Sequence, residues 1–600
     1  MESSTITPAA GSAVEAPTLA EAFRRTAEAH ADQVAFRTAD DSLSLTWAET
    51  RDRVSAIAGG LAGLGLGKGD SLAIMLSNRP EFHLVDLAAV VLGATPFSIY
   101  QTYTPEQIQY IVSDAGARVA VVEPAHLKAV LEARKDLPDL EHVIVLGGDA
   151  PEGTVHLDEI EGAGGDFDAD AAVAAVGPDD VLTLIYTSGT TGPPKGVQLT
   201  HKNIMSGVRT VQKLIELPPG ARVISWLPAA HIAERNAHHY IPVVFAGQVT
   251  CCDNPREIMS FLPRVRPNWF FAVPRIWEKL KAGLETMMAA QDDATRERGE
   301  SAVAAAIEKV RLEQKGEEVP AELAEKVAQA DVQMFSGLRK MLGLDEVITV
   351  NVGAAPTPPD VLEFFHGIGI ELAELWGMLE ACGAGTCNPP GKVKIGTVGP
   401  ASPGVEIKLA DDGEVMVRGG CVMLGYRNLP DKTKETMTDD GWLLTGDIGT
   451  LDEDGYLKIV DRKKEIIINA AGKNMSPANI ESTLKGASPL IGQAAVIGDR
   501  RSYNTALIVL DSDYAPAWGK KNGLEDNSLE AMAGEEKMRE AVQKGVDDAN
   551  AKLARVEQIK KFTVVRGDWV PGGDELTPTM KLKRKPIAEK YSDEIEGMYS

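Results

Sequence analysis

LIYTSGTTGPPKGVQLTH, residues Leu184 to His201, sets the end of an apolar strand directly against a run of hydroxyl-bearing residues and glycines. The strand Val181–Tyr186 gives way to Thr187, Ser188, Gly189, Thr190, Thr191 and Gly192, and then to Pro193, Pro194, Lys195 and Gly196. Hydroxyls donate to phosphate oxygens, glycines let backbone approach an anion closely, and a lysine supplies compensating charge. The Walker A spacing GxxxxGK[ST] is not met, because Pro194 stands where its second glycine belongs and Gly196 follows the lysine, so an ordinary P-loop NTPase is excluded. A flexible Gly/Ser/Thr linker is the plain alternative. It does not account for the preceding strand, the two rigid prolines or the helix start at Thr200–Asn203.

Outward from the loop, short apolar strands alternate with amphipathic helices. Leu72–Leu76, Val119–Glu123, Val143–Leu146, Val223–Leu227 and Val347–Val352 read as strands, with helices over Glu81–Leu92 and Ala125–Ala133. That grammar predicts parallel sheet with helices on its faces. From Glu278 to about Leu344 the chain is rich in Ala, Glu, Lys and Gln. There Leu323, Val327, Ala330, Met334 and Leu338 recur at spacings of three and four, which predicts a helical insertion broken near Gly316 and Pro320. After Asp461, strands over Lys464–Asn469, Ala494–Ile497 and Ala506–Leu510 and helices near Pro477–Lys485 and Glu535–Ala551 predict a small α+β domain.

Composition narrows the function. The 600 residues carry 61 basic and 87 acidic side chains, a net charge of −26. Such a chain is not a nucleic-acid binder and is repelled by anionic membrane surfaces; anionic substrates require positive charge focused locally. Hydrophobic content of 44% and charged content of 25% exclude a disordered chain. Five cysteines without a CxxC pair fit a reducing cytoplasm. Met1–Pro17 lacks the pattern of a signal peptide, and the run Leu84–Phe97, interrupted by Asp86, falls short of the ~20 residues of a spanning helix. A soluble cytoplasmic protein with no transmembrane segment is expected. His231, His238 and His239 cluster in sequence, yet without an HExxH-type carboxylate they do not make a metal motif.

The loop resembles the signature of the adenylate-forming (AMP-dependent) synthetase/ligase superfamily, which includes acyl-CoA synthetases, peptide-synthetase adenylation domains and luciferases. Further motifs of that family follow in order from about Thr18 to Ile587. LPAAHIAER (Leu227–Arg235) resembles the segment whose histidine, here His231, borders the acyl and nucleotide pockets. NVGAAPTP (Asn351–Pro358) resembles the turn against adenine, implicating Gly353, Ala354 and Ala355. ELWGMLEACG (Glu374–Gly383) resembles the next nucleotide motif, Glu374, Leu375, Trp376, Gly377, Met378 and Leu379, with Trp376 near the base. Glu380, with Thr190 of the loop, is implied to hold Mg2+ on the ATP phosphates. GWLLTGDIG (Gly441–Gly449) supplies Asp447 for the ribose hydroxyls, and YLKIVDRKKEIII (Tyr456–Ile468) supplies Arg462 near ribose and phosphate and Lys464 as hinge. ELTPTMKLKRK (Glu575–Lys585) resembles the C-terminal motif with the catalytic lysine, Lys581. Two positions depart from the pattern: Leu379 stands for a hydroxyl residue that contacts phosphate, and Met580 for the common glycine.

The resemblance implies an α/β fold with a flexible terminus over residues 1–17. Residues 18–461 form a large region of several subdomains with parallel-rich sheets, and residues 462–600 a small mobile α+β domain. It implies a two-step reaction: a carboxylate attacks the α-phosphate of ATP, and a thiol then displaces AMP. Lys581, Glu380, His231 and Lys195 serve the chemistry, while Gly472, Lys473 and Asn474 meet CoA after the small domain turns about Lys464. The insertion after VPRIWEKL (Val273–Leu280), GKNMSPANIE (Gly472–Glu481) and TPTMKLKRK resemble long-chain fatty-acid–CoA ligases, with medium-chain or aryl acids behind. ATP and CoA are then co-substrates and a fatty acid the third partner; transient membrane contact is left open by the sequence, which is silent on lipid delivery. The rival readings are an acyl-AMP ligase that serves a separate carrier protein and a nucleotide-binding regulator without catalysis.

Overall fold

The computed structural model describes residues 12–165, 167–187, 193–383, 385–470 and 473–600. Its first parallel sheet runs in the order Thr95–Ser98, Ser71–Met75, Ala117–Val122, His142–Val145, Val155–His156. Ser71–Met75 is buried along its whole length, which is why it reads as continuous apolar sequence rather than as an alternation. The crossover helices Pro80–Leu92 and Pro105–Ala115 each begin with proline and stop at a left-handed glycine, Gly93 and Gly116.

A second sheet joins Arg222–Ser225, Gln248–Cys251 and Val34–Thr38 in parallel, with Ser44–Thr46 antiparallel at its edge. A third joins Trp269–Ala272, Thr349–Val352 and Leu372–Trp376, again with one antiparallel edge strand, Thr386–Cys387. Between the first two strands of this sheet lies the insertion, as helices Pro274–Ala289, Asp293–Lys315, Ala321–Ala330 and Ser336–Leu342. The long helix ends at left-handed Gly316 and the next starts behind Pro320. Among the described residues no helix is long and apolar enough to cross a membrane.

Beyond the sequence expectations the structure adds two features, and it corrects two others. Gly196–Thr200 is a strand antiparallel to Val181–Tyr186, so the described residues on either side of the phosphate motif are the two arms of a hairpin. The helix His201–Leu214 starts at Thr200–Asn203 as expected, those two residues forming its capping box. The large region also ends in an antiparallel sheet, Val405–Leu409, Glu414–Gly419, Leu443–Leu451 and Leu457–Arg462, which the strand–helix alternation did not single out and which keeps Arg462 with the large region rather than at the start of the small one. Lys464–Asn469 pairs only at Ile467–Ile468, against Asn474–Met475; Lys463 and Glu465 before it make side-chain ion pairs instead. Residues 12–17 are docked rather than free: Val14 and Ala16 are buried, and their carbonyls accept from Arg209 at 3.0 and 2.7 Å.

Residues 467–598 build cores apart from that of the large lobe. Strands Ile491–Ile497, Asn504–Leu510 and Ile559–Val564 form their sheet. Alternation sends Ala506, Ile508 and Leu510 to one face, under Pro477–Ala487 and Glu536–Lys552, and Leu507 and Val509 to the other, under the C-terminal helices Arg584–Lys590 and Ser592–Tyr599. Across the two lobes Arg275 pairs with Asp511, and Lys279 with Asp513 at 2.6 Å.

Candidate active site

The phosphate hairpin is pinched at its base. Thr187 N–H donates to the Lys195 carbonyl and Lys195 N–H to Thr187 Oγ1, both at 3.1 Å. Ser188, Gly189, Thr190, Thr191 and Gly192, the loop itself, lie outside the described residues, as does Gly472. Lys195 projects over the ring of Tyr426, 4.2 Å from its centroid. Burial lowers its pKa, Glu380 opposing and Lys464, Lys432 and Arg462 adding to the fall.

Glu380 sits on the short helical turn Leu379–Ala381. The turn closes through Gly377, where a Cβ would stand 2.2 Å from the Gly383 carbonyl oxygen. Glu380 is 8% exposed, and its Oε1 accepts from Tyr426 Oη–H at 2.7 Å. Among the described residues Oε2 has no hydrogen-bond partner, so one hard oxygen is available to a divalent ion that also binds phosphate, and the site fits Mg2+. Leu379 and Met378 turn inward against the apolar core, which explains how a residue without a hydroxyl is tolerated there. Among the described residues no three or more His, Cys, Asp or Glu side chains gather as a metal cage.

Asp447 and Arg462 are cross-strand partners in the antiparallel sheet and pair at 2.9 Å. The indole N–H of Trp376 donates to the other Asp447 oxygen at 2.9 Å. Burial raises the Asp447 pKa against the pull of Arg462, Trp376 and Lys581. Gly353 packs on Leu375, and Ala354 takes a left-handed φ of 69°, leaving Ala354 and Ala355 exposed beside the strand that carries Glu374 and Trp376. Burial pushes Glu374 up to about 7, opposed by hydrogen bonding at Thr357 and Gly396.

Lys581 arrives from the small domain on the loop Thr577–Lys581, where Thr577 N–H donates to the Lys581 carbonyl and Lys581 N–H to Thr577 Oγ1. Its side chain is open to solvent across the cleft, yet its ammonium is crowded by protein atoms. Desolvation and then Arg462 lower its pKa, with Asp447, Glu380 and Glu465 opposing. His231 feels the same charge: burial first and Lys581 second bring its pKa down to about 4. Its Nδ1 accepts from Ala233 N–H at 3.1 Å, so the neutral ring carries its proton on Nε2.

The segment after His231 fastens the site to the core. Glu234 accepts from Leu227 N–H (2.9 Å), Ser225 Oγ–H (2.6 Å) and Asn78 Nδ2–H (3.1 Å). Arg235, 1% exposed, reaches Asp86 at 2.6 Å and Thr183 of the phosphate-hairpin strand at 3.0 Å. Asn236 donates to the Cys382 carbonyl beside the Glu380 turn. His238 and His239 are buried on Glu234 and Asp86 and do not converge with His231.

The structure thus links Trp376, Asp447 and Arg462 by direct contacts, and sets Lys195 within electrostatic reach of Glu380 and Arg462, and Lys581 within reach of Glu380, Asp447, Arg462 and His231. Lys464 lies in an exposed turn within electrostatic reach of Lys195. Lys473 and Asn474 are exposed on the small-domain hairpin, without a hydrogen bond or ion pair to the cleft among the described residues. Sequence reasoning missed Tyr426 and the roles of Arg235 and Asn236; Tyr426 carries no signal until strand Gly425–Tyr426 pairs with Gly196–Thr200.

The profile of the AMP-binding enzyme family matches residues 23–427, and that of the AMP-binding enzyme C-terminal domain matches residues 464–600. A putative fatty-acid–CoA ligase, fadD11, of Mycobacterium tuberculosis (strain H37Rv) is 47% identical over 451 residues, 75% of this chain and 79% of that protein. The long-chain-fatty-acid–CoA ligase FadD15 of the same strain is 34% identical over 568 residues, 93% of this chain and 92% of its own. In fold the chain is similar to the crystal structure of the anthranilate CoA ligase AuaEII in complex with anthranoyl-AMP. The TM-score is 0.73 at 20% identity, over 96% of this chain and 98% of that one.

Proposed function

This chain belongs to the AMP-binding enzyme family, and from that premise we infer that it activates a fatty acid as its acyl-adenylate and transfers the acyl group to coenzyme A, releasing AMP and pyrophosphate. The observation that supports this reading is that Lys581, from the small domain, lies within electrostatic reach of Glu380, Asp447, Arg462 and His231 of the large one. A long-chain acid is the substrate class, supported by relatives named long-chain-fatty-acid–CoA ligases and by the helical insertion. A cytoplasmic location belongs to the same reading, in keeping with five cysteines held as thiols.

In the first half-reaction two anions, carboxylate and triphosphate, must meet, so charge neutralisation dominates the barrier. Lys581 and Lys195 face the developing negative charge from opposite lobes. Asp447 accepts the ribose hydroxyls while Arg462 and Trp376 hold its carboxylate in place. Neutral His231, its proton on Nε2, donates to the acyl oxygen without placing a second cation beside Lys581. Mg2+ held at Glu380 and Thr190 supplies Lewis-acid stabilisation of the phosphates when bound. Closure of the small lobe keeps water from the acyl-adenylate. For the second half, the small domain turns about Lys464, withdraws Lys581 and carries Gly472, Lys473 and Asn474 to the thiol path.

The test is a panel of acids from acetate to oleate, assayed for AMP formation with and without CoA. CoA-dependent AMP release that rises toward long chains is expected; adenylate that accumulates unchanged by CoA would instead assign the acyl group to a carrier protein. Lys581→Ala should abolish acid-dependent pyrophosphate–ATP exchange yet spare thioester formation from preformed acyl-adenylate, and loss of neither would remove Lys581 from its role.

A further inference from the structure

Tyr426 touches two groups of the cleft at once and belongs to none of the motifs read from the sequence. Its strand, Gly425–Tyr426, is the third strand of the phosphate hairpin, with Tyr426 opposite Val197. Its backbone N–H donates to Thr433 Oγ1 at 2.9 Å, and its side chain is 5% exposed, so the ring is held from behind. Lys195 lies over one face of the ring, and the phenol hydroxyl donates to Glu380 Oε1 at 2.7 Å. A hydrogen bond to a buried carboxylate is short and strong compared with one between neutral groups.

The consequence lies in what that bond leaves over. With one lone pair of Oε1 taken by Tyr426, Oε2 is the Glu380 oxygen left without a hydrogen bond among the described residues, and two-oxygen binding of a metal has to compete with the phenol. Mg2+ is small, demands octahedral geometry and binds through one or two carboxylates plus phosphates and water, whereas Ca2+ takes six to eight oxygens and accepts carboxylates bidentately. We propose that Tyr426 is a positioning residue that holds Glu380 as a one-oxygen ligand and thereby sets the preference of the nucleotide site for Mg2+ over Ca2+. The proposal rests on the reading of Glu380 as the metal ligand and deepens it.

The test uses the full-length chain without acid or CoA, following the quenching of tryptophan fluorescence as ATP is added with Mg2+, with Ca2+, or with EDTA. The wild type should bind Mg·ATP more tightly than Ca·ATP. Tyr426→Phe, which keeps the ring under Lys195 and removes only the hydroxyl, should narrow that ratio by about tenfold, the scale of one hydrogen bond to a charged group. In a Glu380→Gln background the same substitution should leave the ratio unchanged. A ratio equal in wild type and Tyr426→Phe overturns the proposal, as does an equal narrowing in the Glu380→Gln background. ATP affinity in the wild type that is the same with either metal or with EDTA removes Glu380 as the ligand, a failure of the underlying reading that is told apart by appearing before any substitution at Tyr426.

Discussion

Met580 sits at φ 66°, a left-handed conformation that a side chain with a Cβ disfavours, and is 45% exposed. The physical role of the glycine common at this position is therefore backbone strain rather than space, because the turn that presents Lys581 needs positive φ. Met580→Gly is expected to stabilise the protein by roughly 0.5–1 kcal/mol, read as a higher denaturant midpoint. A second residue, His201, carries a pH signature. Burial brings its pKa from 6.5 to about 4, and its neutral Nδ1 accepts from Leu19 N–H at 3.1 Å. The unfolded chain binds more protons between those values, so the stability it contributes is complete above pH 6.5 and is lost as pH falls toward 4. His231 acts in the same sense, while Glu374, raised to about 7, acts in the opposite one and loses stability as pH rises from 4.5. The decisive quantity is thus a difference. His201→Asn keeps an acceptor for Leu19 but takes up no proton. The wild type's advantage over it should grow by roughly 3 kcal/mol between pH 4 and 6.5, and a flat difference would contradict the shift.

At the scale of an element, the segment Glu234–Tyr240 ties His231, the phosphate hairpin and the Glu380 turn to one buried network. Its second half widens into a π-type turn, Asn236–Tyr240, which aims Asn236 at the Glu380 turn and His239 at Asp86. Arg235 and Asp86 are both shielded from water, at 1% and 0% side-chain exposure, so neither charge tolerates the loss of the other. Arg235→Met should cost about 3–5 kcal/mol, and adding Asp86→Asn should recover part of it, giving a coupling in the double-mutant cycle measured by urea unfolding. Simple additivity of the two losses would show that the pair is not what holds the segment.

At the scale of the whole molecule, the two lobes are joined in this arrangement by Arg275–Asp511 and Lys279–Asp513, on a helix of the insertion and a turn of the small domain. Both pairs belong to the arrangement in which Lys581 lies toward the large lobe; Lys279–Asp513 is exposed and screened by salt, whereas Asp511 of the other pair is buried and its pair is screened less. Arg275→Ala combined with Lys279→Ala should lower pyrophosphate–ATP exchange several-fold, leave thioester formation from preformed adenylate intact, and weaken the salt dependence of exchange. A double variant whose two half-reactions fall together would assign these pairs to general stability.

The sequence by itself determined the elements and the chemical inventory. Two-sided burial writes itself as apolar runs such as Ser71–Met75, and glycine with proline marks the break at Gly316 and Pro320, because these depend on neighbours a few residues away. Lys195, Glu380, Asp447, Arg462 and Lys581 were legible because they stand in ordered motifs. Tertiary structure alone decided the partnerships: that Gly196–Thr200 folds back as a strand, that Trp376 holds Asp447 across 71 residues, and that Tyr426 holds Glu380 across 46. The last two contacts join single residues of different elements far apart in sequence. They have no period and no local composition, and arise only when strand register and buried charge are satisfied together in three dimensions.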